Sequence, residues 1–115
     1  MSLNSLRHNA DSMSRLLKAV ANGRRLAILC ELSDGERSVS RLQDVIGISQ
    51  SALSQHLARL RRDGLVVTRR DAQNIYYRIS ANHVQALLDY LNQLSSDNTV
   101  AQYNSVGNDN RIDIA

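Results

Sequence analysis

The apolar residues of this chain keep a helical spacing as far as Gly64, then alternate from Val66 to Ile79. That single change of period restricts the fold more than any other feature. Leu53, Leu57 and Leu60 recur at i, i+4 and i+7, which predicts a helix over Gln50 to Asp63 with one buried stripe. Past Gly64, Val66 to Arg70 and Ile75 to Ile79 read as two short strands joined by Asp71-Ala72-Gln73-Asn74.

Upstream, Met13, Leu16, Leu17 and Val20 predict a first helix from Ser5 to Ala21. Asn22 caps a second helix to Leu32, with Leu26, Leu29 and Cys30 on one side, and Ser33-Asp34-Gly35 ends it. Ser38 caps a third, carrying Leu42, Val45 and Ile46 and stopped by Gly47; Ser49 caps the fourth. Asn82 or Ser80 caps a last helix in which Val84, Leu87, Leu88, Leu91 and Leu94 are in register. The order is α-α-α-α-β-β-α. Only Gly47-Ile48-Ser49 separates the third and fourth helices, the spacing of a helix-turn-helix, and the hairpin that follows is a wing. The expected fold class is mainly α with a two-stranded β wing, a winged helix-turn-helix.

A length of 115 residues suits one domain. Residues 1–94 are expected to form it, and 95–115, rich in Ser, Asn, Asp and Gly, an acidic mobile tail. No apolar run approaches the roughly 18 residues of a membrane span, and Met1 to Asp11 is polar, so a cytoplasmic protein with no membrane partner is expected. A single cysteine excludes an intrachain disulfide and an all-cysteine metal cage. Four tyrosines are the only aromatic residues, which disfavours a stacking platform for single-stranded nucleic acid.

The net charge of +3 is unevenly spread. Residues 49–78 hold Arg59, Arg61, Arg62, Arg69, Arg70 and Arg78 against only Asp63 and Asp71, whereas residues 89–115 hold Arg111 against Asp89, Asp97, Asp109 and Asp113. All but one of the bases are arginine, whose planar fork matches phosphates and guanine edges.

On the fourth helix, Ser51, Gln55, Ala58 and Arg62 point away from the leucine stripe, with Gln50 and Ser54 to one side and Arg59 to the other. No acid precedes Asp63. Small hydroxyls permit close approach to a duplex, and glutamine can pair with adenine edges. The N-terminal half, with Ser49, Gln50, Ser51, Ser54 and Gln55, is therefore expected in the major groove of double-stranded DNA. Arg59, Arg61 and Arg62 suit backbone phosphates, and Arg69 and Arg70 beside the wing turn could reach phosphates or a minor groove. His56 borders the stripe and is read as a packed, hydrogen-bonded residue.

Asn22-Gly-Arg-Arg-Leu-Ala-Ile-Leu-Cys30, the run from Ile48 to Leu65 with its Ser-x-x-Ser-x-His-Leu core, and Arg70-Asp-Ala-Gln-Asn-Ile-Tyr-Tyr77 together resemble the ArsR/SmtB family of winged-helix repressors. Within it they are most similar to the branch of HlyU- and BigR-like regulators, over about Leu16 to Leu94. The resemblance implies a homodimer paired through its first and last helices. Two recognition helices would then read an inverted-repeat operator with half-sites roughly 34 Å apart.

The family's effector sites are only partly present. One arrangement places a cysteine pair in the helix before the recognition helix, but Val39-Ser-Arg-Leu-Gln-Asp44 has no thiol. Another uses Asp and His along the last helix, where only His83 and Asp89 stand, six residues apart. No metal site is therefore expected, with a metal-responsive repressor using a non-standard site as the alternative. The branch also resembles a thiol switch of two cysteines. Cys30 matches the first, but the second falls at about Ser96, so an intramolecular dithiol switch is impossible. Cys30 is a possible redox sensor through a mixed disulfide, a sulfenic acid or a bond to a partner chain; otherwise it is a small packed side chain. No nucleophile–base pair, phosphate loop or carboxylate pair marks an enzyme, and no cofactor is expected. An effector-independent anti-silencing regulator and a protein-interaction module that kept the fold are the other readings.

Overall fold

The computed structural model describes residues 2–97. Its elements are α1 (Asn4–His8), α2 (Ala10–Val20), α3 (Gly23–Ser33), β1 (Arg37–Ser38), α4 (Val39–Ile46), α5 (Gln50–Arg62), β2 (Val66–Asp71), β3 (Asn74–Ile79) and α6 (Asn82–Ser96). Met1–Ala81 form one compact unit, and α6 belongs to a second.

Local chemistry sets most boundaries. Asn22 Oδ1 accepts from the amides of Arg24 and Arg25 at 3.0 and 3.1 Å, opening α3. Ser38 Oγ accepts from Arg41 N at 3.1 Å, and Ser49 Oγ from Ala52 N at 3.2 Å, opening α4 and α5. Gly47 ends α4 at φ 73°, a left-handed conformation that glycine adopts without steric cost.

Three local expectations are corrected. The first helix is broken: Asn9 separates α1 from α2, and its side-chain amide donates to Ser5 O at 3.0 Å. Asparagine competes in this way with continued helix. A third strand, β1, pairs antiparallel with β3, giving the order β1-β3-β2. Two residues are too few to show a period. The wing turn is tighter than expected, because Asp71 and Asn74 pair and leave Ala72-Gln73 between the strands. The Ser80 hydroxyl donates to Gly64 O, and α6 begins at Asn82.

The core of the first unit gathers Ala19 and Val20 of α2, Ile28, Leu29 and Leu32 of α3, Leu42, the α5 stripe of Leu53, Leu57 and Leu60, and Leu65 and Val66. On α3 the buried face is turned from the expected one: Leu26 is half-buried and Cys30 is exposed. Leu26-Ala-Ile-Leu-Cys30 is apolar on every side, so its period could not select a face. Met13, Leu17, Leu3 and Leu6 leave an apolar surface on α1 and α2 exposed.

In α6, Val84 and Leu88 are buried and Tyr90 is exposed. The helix continues through Ser95 and Ser96; the expected tail from 98 to 115 lies outside the described residues. Among the described residues, no helix is long and apolar enough to cross a membrane.

Candidate DNA-binding surface

Burial of Leu53, Leu57 and Leu60 pins α5 in the core and turns its other faces outward. Gln50, Ser51, Ser54, Gln55, Ala58, Arg61 and Arg62 are exposed, as the helical period predicts. Gln50, Ser54, Ala58, Arg61 and Arg62 line one side of a cleft of about 730 Å³. Ser38, Val39 and Ser40 at the start of α4, together with Gln73, Asn74, Ile75 and Tyr77 of the wing, complete it. The cleft therefore presents hydroxyls, amides and two guanidiniums, and no carboxylate lines it. Such a lining can receive a polyanionic backbone without a compensating acid. Ser40, Gln73 and Asn74 were not singled out in the sequence. Their role depends on α4 and the wing tip converging on α5, which no local pattern records.

The expected contact residues differ in freedom. Gln50, Ser54 and Gln55 are exposed side chains on the outer face. Ser49 already accepts from Ala52 N, and its hydroxyl lies 3.4 Å from that of Ser51. Arg59 Nε donates to Asp63 Oδ2 at 2.8 Å, an i,i+4 pair on a half-buried side chain. Arg62 is only 3.8 Å from the other oxygen of Asp63 and stays largely exposed.

Strand register separates the two wing arginines. Arg70 pairs with Ile75, and Thr68 with Tyr77, so these side chains share the sheet face that lines the cleft. Arg69 pairs with Tyr76 on the opposite face. There its guanidinium carbon lies 4.5 Å from the Tyr76 ring centroid. Its Nη2 donates to Glu36 Oε1 at 2.7 Å, and its Nε lies 3.2 Å from both carboxylate oxygens. The Arg69 hydrogen bond holds the Glu36 carboxyl below its ordinary range, helped by the charges of Arg69 and Arg78.

Behind the outer face, Arg25 ties three helices together. Its Nε donates to Ala19 O at 2.6 Å and its Nη2 to Lys18 O at 3.3 Å, closing the end of α2. Its Nη1 lies 3.4 Å from His56 Nδ1 on α5. Arginine cannot accept, so Nδ1 is the acceptor of a neutral imidazole. His56 is thus packed and hydrogen-bonded, as its sequence position indicates. Partial burial, then the charges of Arg25 and Arg24, push its pKa below the usual histidine value. A depressed folded pKa adds stability that is present above the unfolded value of about 6.5 and is lost as the pH falls below it. Unfolding in denaturant should therefore show lower stability at pH 5.5 than at pH 7.5. His56→Gln should reduce that difference, and an unchanged difference would place the titration elsewhere.

Cys30 lies on the exposed side of α3 as a free thiol. Among the described residues, no group of three or more His, Cys, Asp or Glu could hold a metal ion.

A helical core, two serine-capped helices, α4 and α5, joined by the tight turn at Gly47, and a β wing define a winged helix-turn-helix regulator. Residues 22–68 match the model for bacterial regulatory proteins of the arsR family. The chain is 51% identical over 94 residues to the transcriptional activator HlyU of Vibrio cholerae serotype O1, covering 82% of this chain and 87% of that protein. The crystal structure of the transcriptional repressor BigR from Xylella fastidiosa superposes with a TM-score of 0.78 at 36% identity, over 82% of this chain and 96% of the other. The solution structure of a homodimeric winged helix-turn-helix DNA-binding domain from Mycobacterium bovis gives 0.70 at 38% identity, over 81% and 85%. The chain belongs to the arsR family and is a transcriptional regulator, not an enzyme.

Proposed function

We propose that the chain is a homodimeric repressor that binds an inverted-repeat operator in double-stranded DNA through α5 and the wing. The observation that carries this reading is the outer face of α5, which offers amides, hydroxyls and arginines beside a cleft that no acid lines. Ser49, Gln50, Ser51, Ser54 and Gln55 meet base edges and nearby phosphates in the major groove. Arg59, Arg62 and Arg70 hold the backbone. Two copies pair through the apolar surface of α1 and α2 and through α6, which sets the half-site spacing. Support for pairing comes from the exposed Leu3, Leu6, Met13 and Leu17, and from the homodimeric relative. Repression follows the BigR relative; the HlyU relative is an activator, and activation by displacing another DNA-bound protein uses the same surface.

The exposed thiol of Cys30 supports a redox response through a mixed disulfide or sulfenic acid. Selecting bound duplexes from a random pool, with and without reductant, tests operator and thiol together. Enrichment of an inverted repeat supports the reading; binding no tighter than to random DNA overturns it. Oxidant-insensitive binding would remove the redox role alone. With the selected operator, Gln55→Ala should relax preference at one base pair by about 1–3 kcal/mol. Competition with single-substitution operators measures this, and uniform weakening across all of them would exclude a base contact.

A further inference from the structure

We infer that Glu36, Arg69 and Tyr76 form a clip that sets the posture of the wing, so that Arg69 serves DNA binding by positioning Arg70 rather than by touching a phosphate. The inference rests on the DNA-binding reading above and separates two neighbouring arginines within it. Register puts Arg69 and Arg70 on opposite faces of the sheet, and Arg70 shares its face with Ile75 and Tyr77, which line the α5 cleft. Arg69 is already engaged: Glu36 receives two of its nitrogens at 2.7–3.2 Å, and Tyr76 lies under its plane at 4.5 Å. Glu36 directly precedes β1, the strand on the far side of β3. The ion pair therefore spans the whole sheet, from the start of β1 across β3 to β2. It ties the hairpin to the segment that leads into α4. A phosphate would have to displace a paired carboxylate to reach Arg69, whereas the described residues show no ion pair or hydrogen bond to the Arg70 guanidinium.

Each phosphate contact adds about one unit to the slope of log K against log salt. A residue that acts only by posture changes affinity and leaves that slope alone. Binding of the full chain to its selected duplex and to a scrambled one, followed by fluorescence anisotropy across a salt series, tests this. Arg70→Ala should lower the slope by about one unit. Arg69→Ala and Glu36→Gln should each weaken binding by up to about fivefold with an unchanged slope, as suits a well-formed exposed pair. The double variant should be no weaker than either single one. The exchange Glu36→Arg with Arg69→Glu should recover most of the loss, which a phosphate ligand could not do. A slope that falls by about one unit in Arg69→Ala would overturn the clip. Tighter binding with a steeper slope in Glu36→Gln would overturn it too, as would variants that bind like the parent chain. A parent chain that binds the selected duplex no better than the scrambled one overturns the DNA-binding reading and the clip with it.

Discussion

Replacing Leu53 with alanine should lower the free energy of unfolding by about 2–5 kcal/mol. Leu53 is fully buried on the stripe that holds α5 in the core, between the capped start of the helix and Leu57. Truncation removes its apolar contacts and leaves a cavity that the surrounding core could fill only by moving the helix. For a chain of this size the loss corresponds to a fall in midpoint temperature on the order of 10–20 °C. It is a large share of the roughly 5–15 kcal/mol that a small domain possesses. The adjacent exposed Ser54→Ala should stay within about 0.5 kcal/mol. Denaturant unfolding at one fixed protein concentration makes the comparison, since self-association would otherwise shift both curves. A Leu53→Ala change below 1 kcal/mol would contradict the burial of that stripe.

Leu17→Glu should separate the proposed dimer and weaken operator binding by about 10²–10⁴-fold, the avidity lost when two linked half-site contacts become one. Leu17 is 55% exposed in the single chain, so the substitution costs the monomer little, yet it sets a charge in the apolar surface shared with Met13. Sedimentation should show a monomer with unaltered far-ultraviolet circular dichroism, and anisotropy should show the loss of affinity. A variant that stays dimeric would move the interface away from α2. A monomer that binds the operator as tightly as the parent chain would remove the need for two-fold symmetry.

Much of the architecture is legible in the chain because its signals are local. Asn22, Ser38 and Ser49 lie next to the helices they cap, and Gly47 supplies the left-handed residue that the turn requires. The stripe of Leu53, Leu57 and Leu60 and the alternation after Gly64 are strong enough to orient α5 and the wing. The outer face of α5, from Gln50 to Arg62, follows from that stripe alone. Where local signals are weak or short, the reading fails. The continuous apolar run around Ile28 hides which side of α3 is buried; Ile28, Leu29 and Leu32 face the core, and Cys30 lies outside rather than packed. Asn9 breaks a helix whose apolar spacing continues across it. The two residues of β1 gain their strand conformation from β3, not from their own composition.

The sequence by itself determined the helix-turn-helix with its wing and which face of α5 looks outward, but neither the break at Asn9 nor the strand β1. Caps, glycines and hydrophobic period act over a few residues, so each stretch carries its own instruction. Only the tertiary structure decided how the side chains divide their work. Arg69 and Glu36 are 33 residues apart in the chain, and Arg25 and His56 are 31 apart, so their pairing depends on packing and register. Register also places adjacent arginines on opposite faces of the sheet. Arg70 lies on the face of the cleft-lining Ile75 and Tyr77 and Arg69 is bound on the other, a distinction that a shared charge and neighbouring positions could not express.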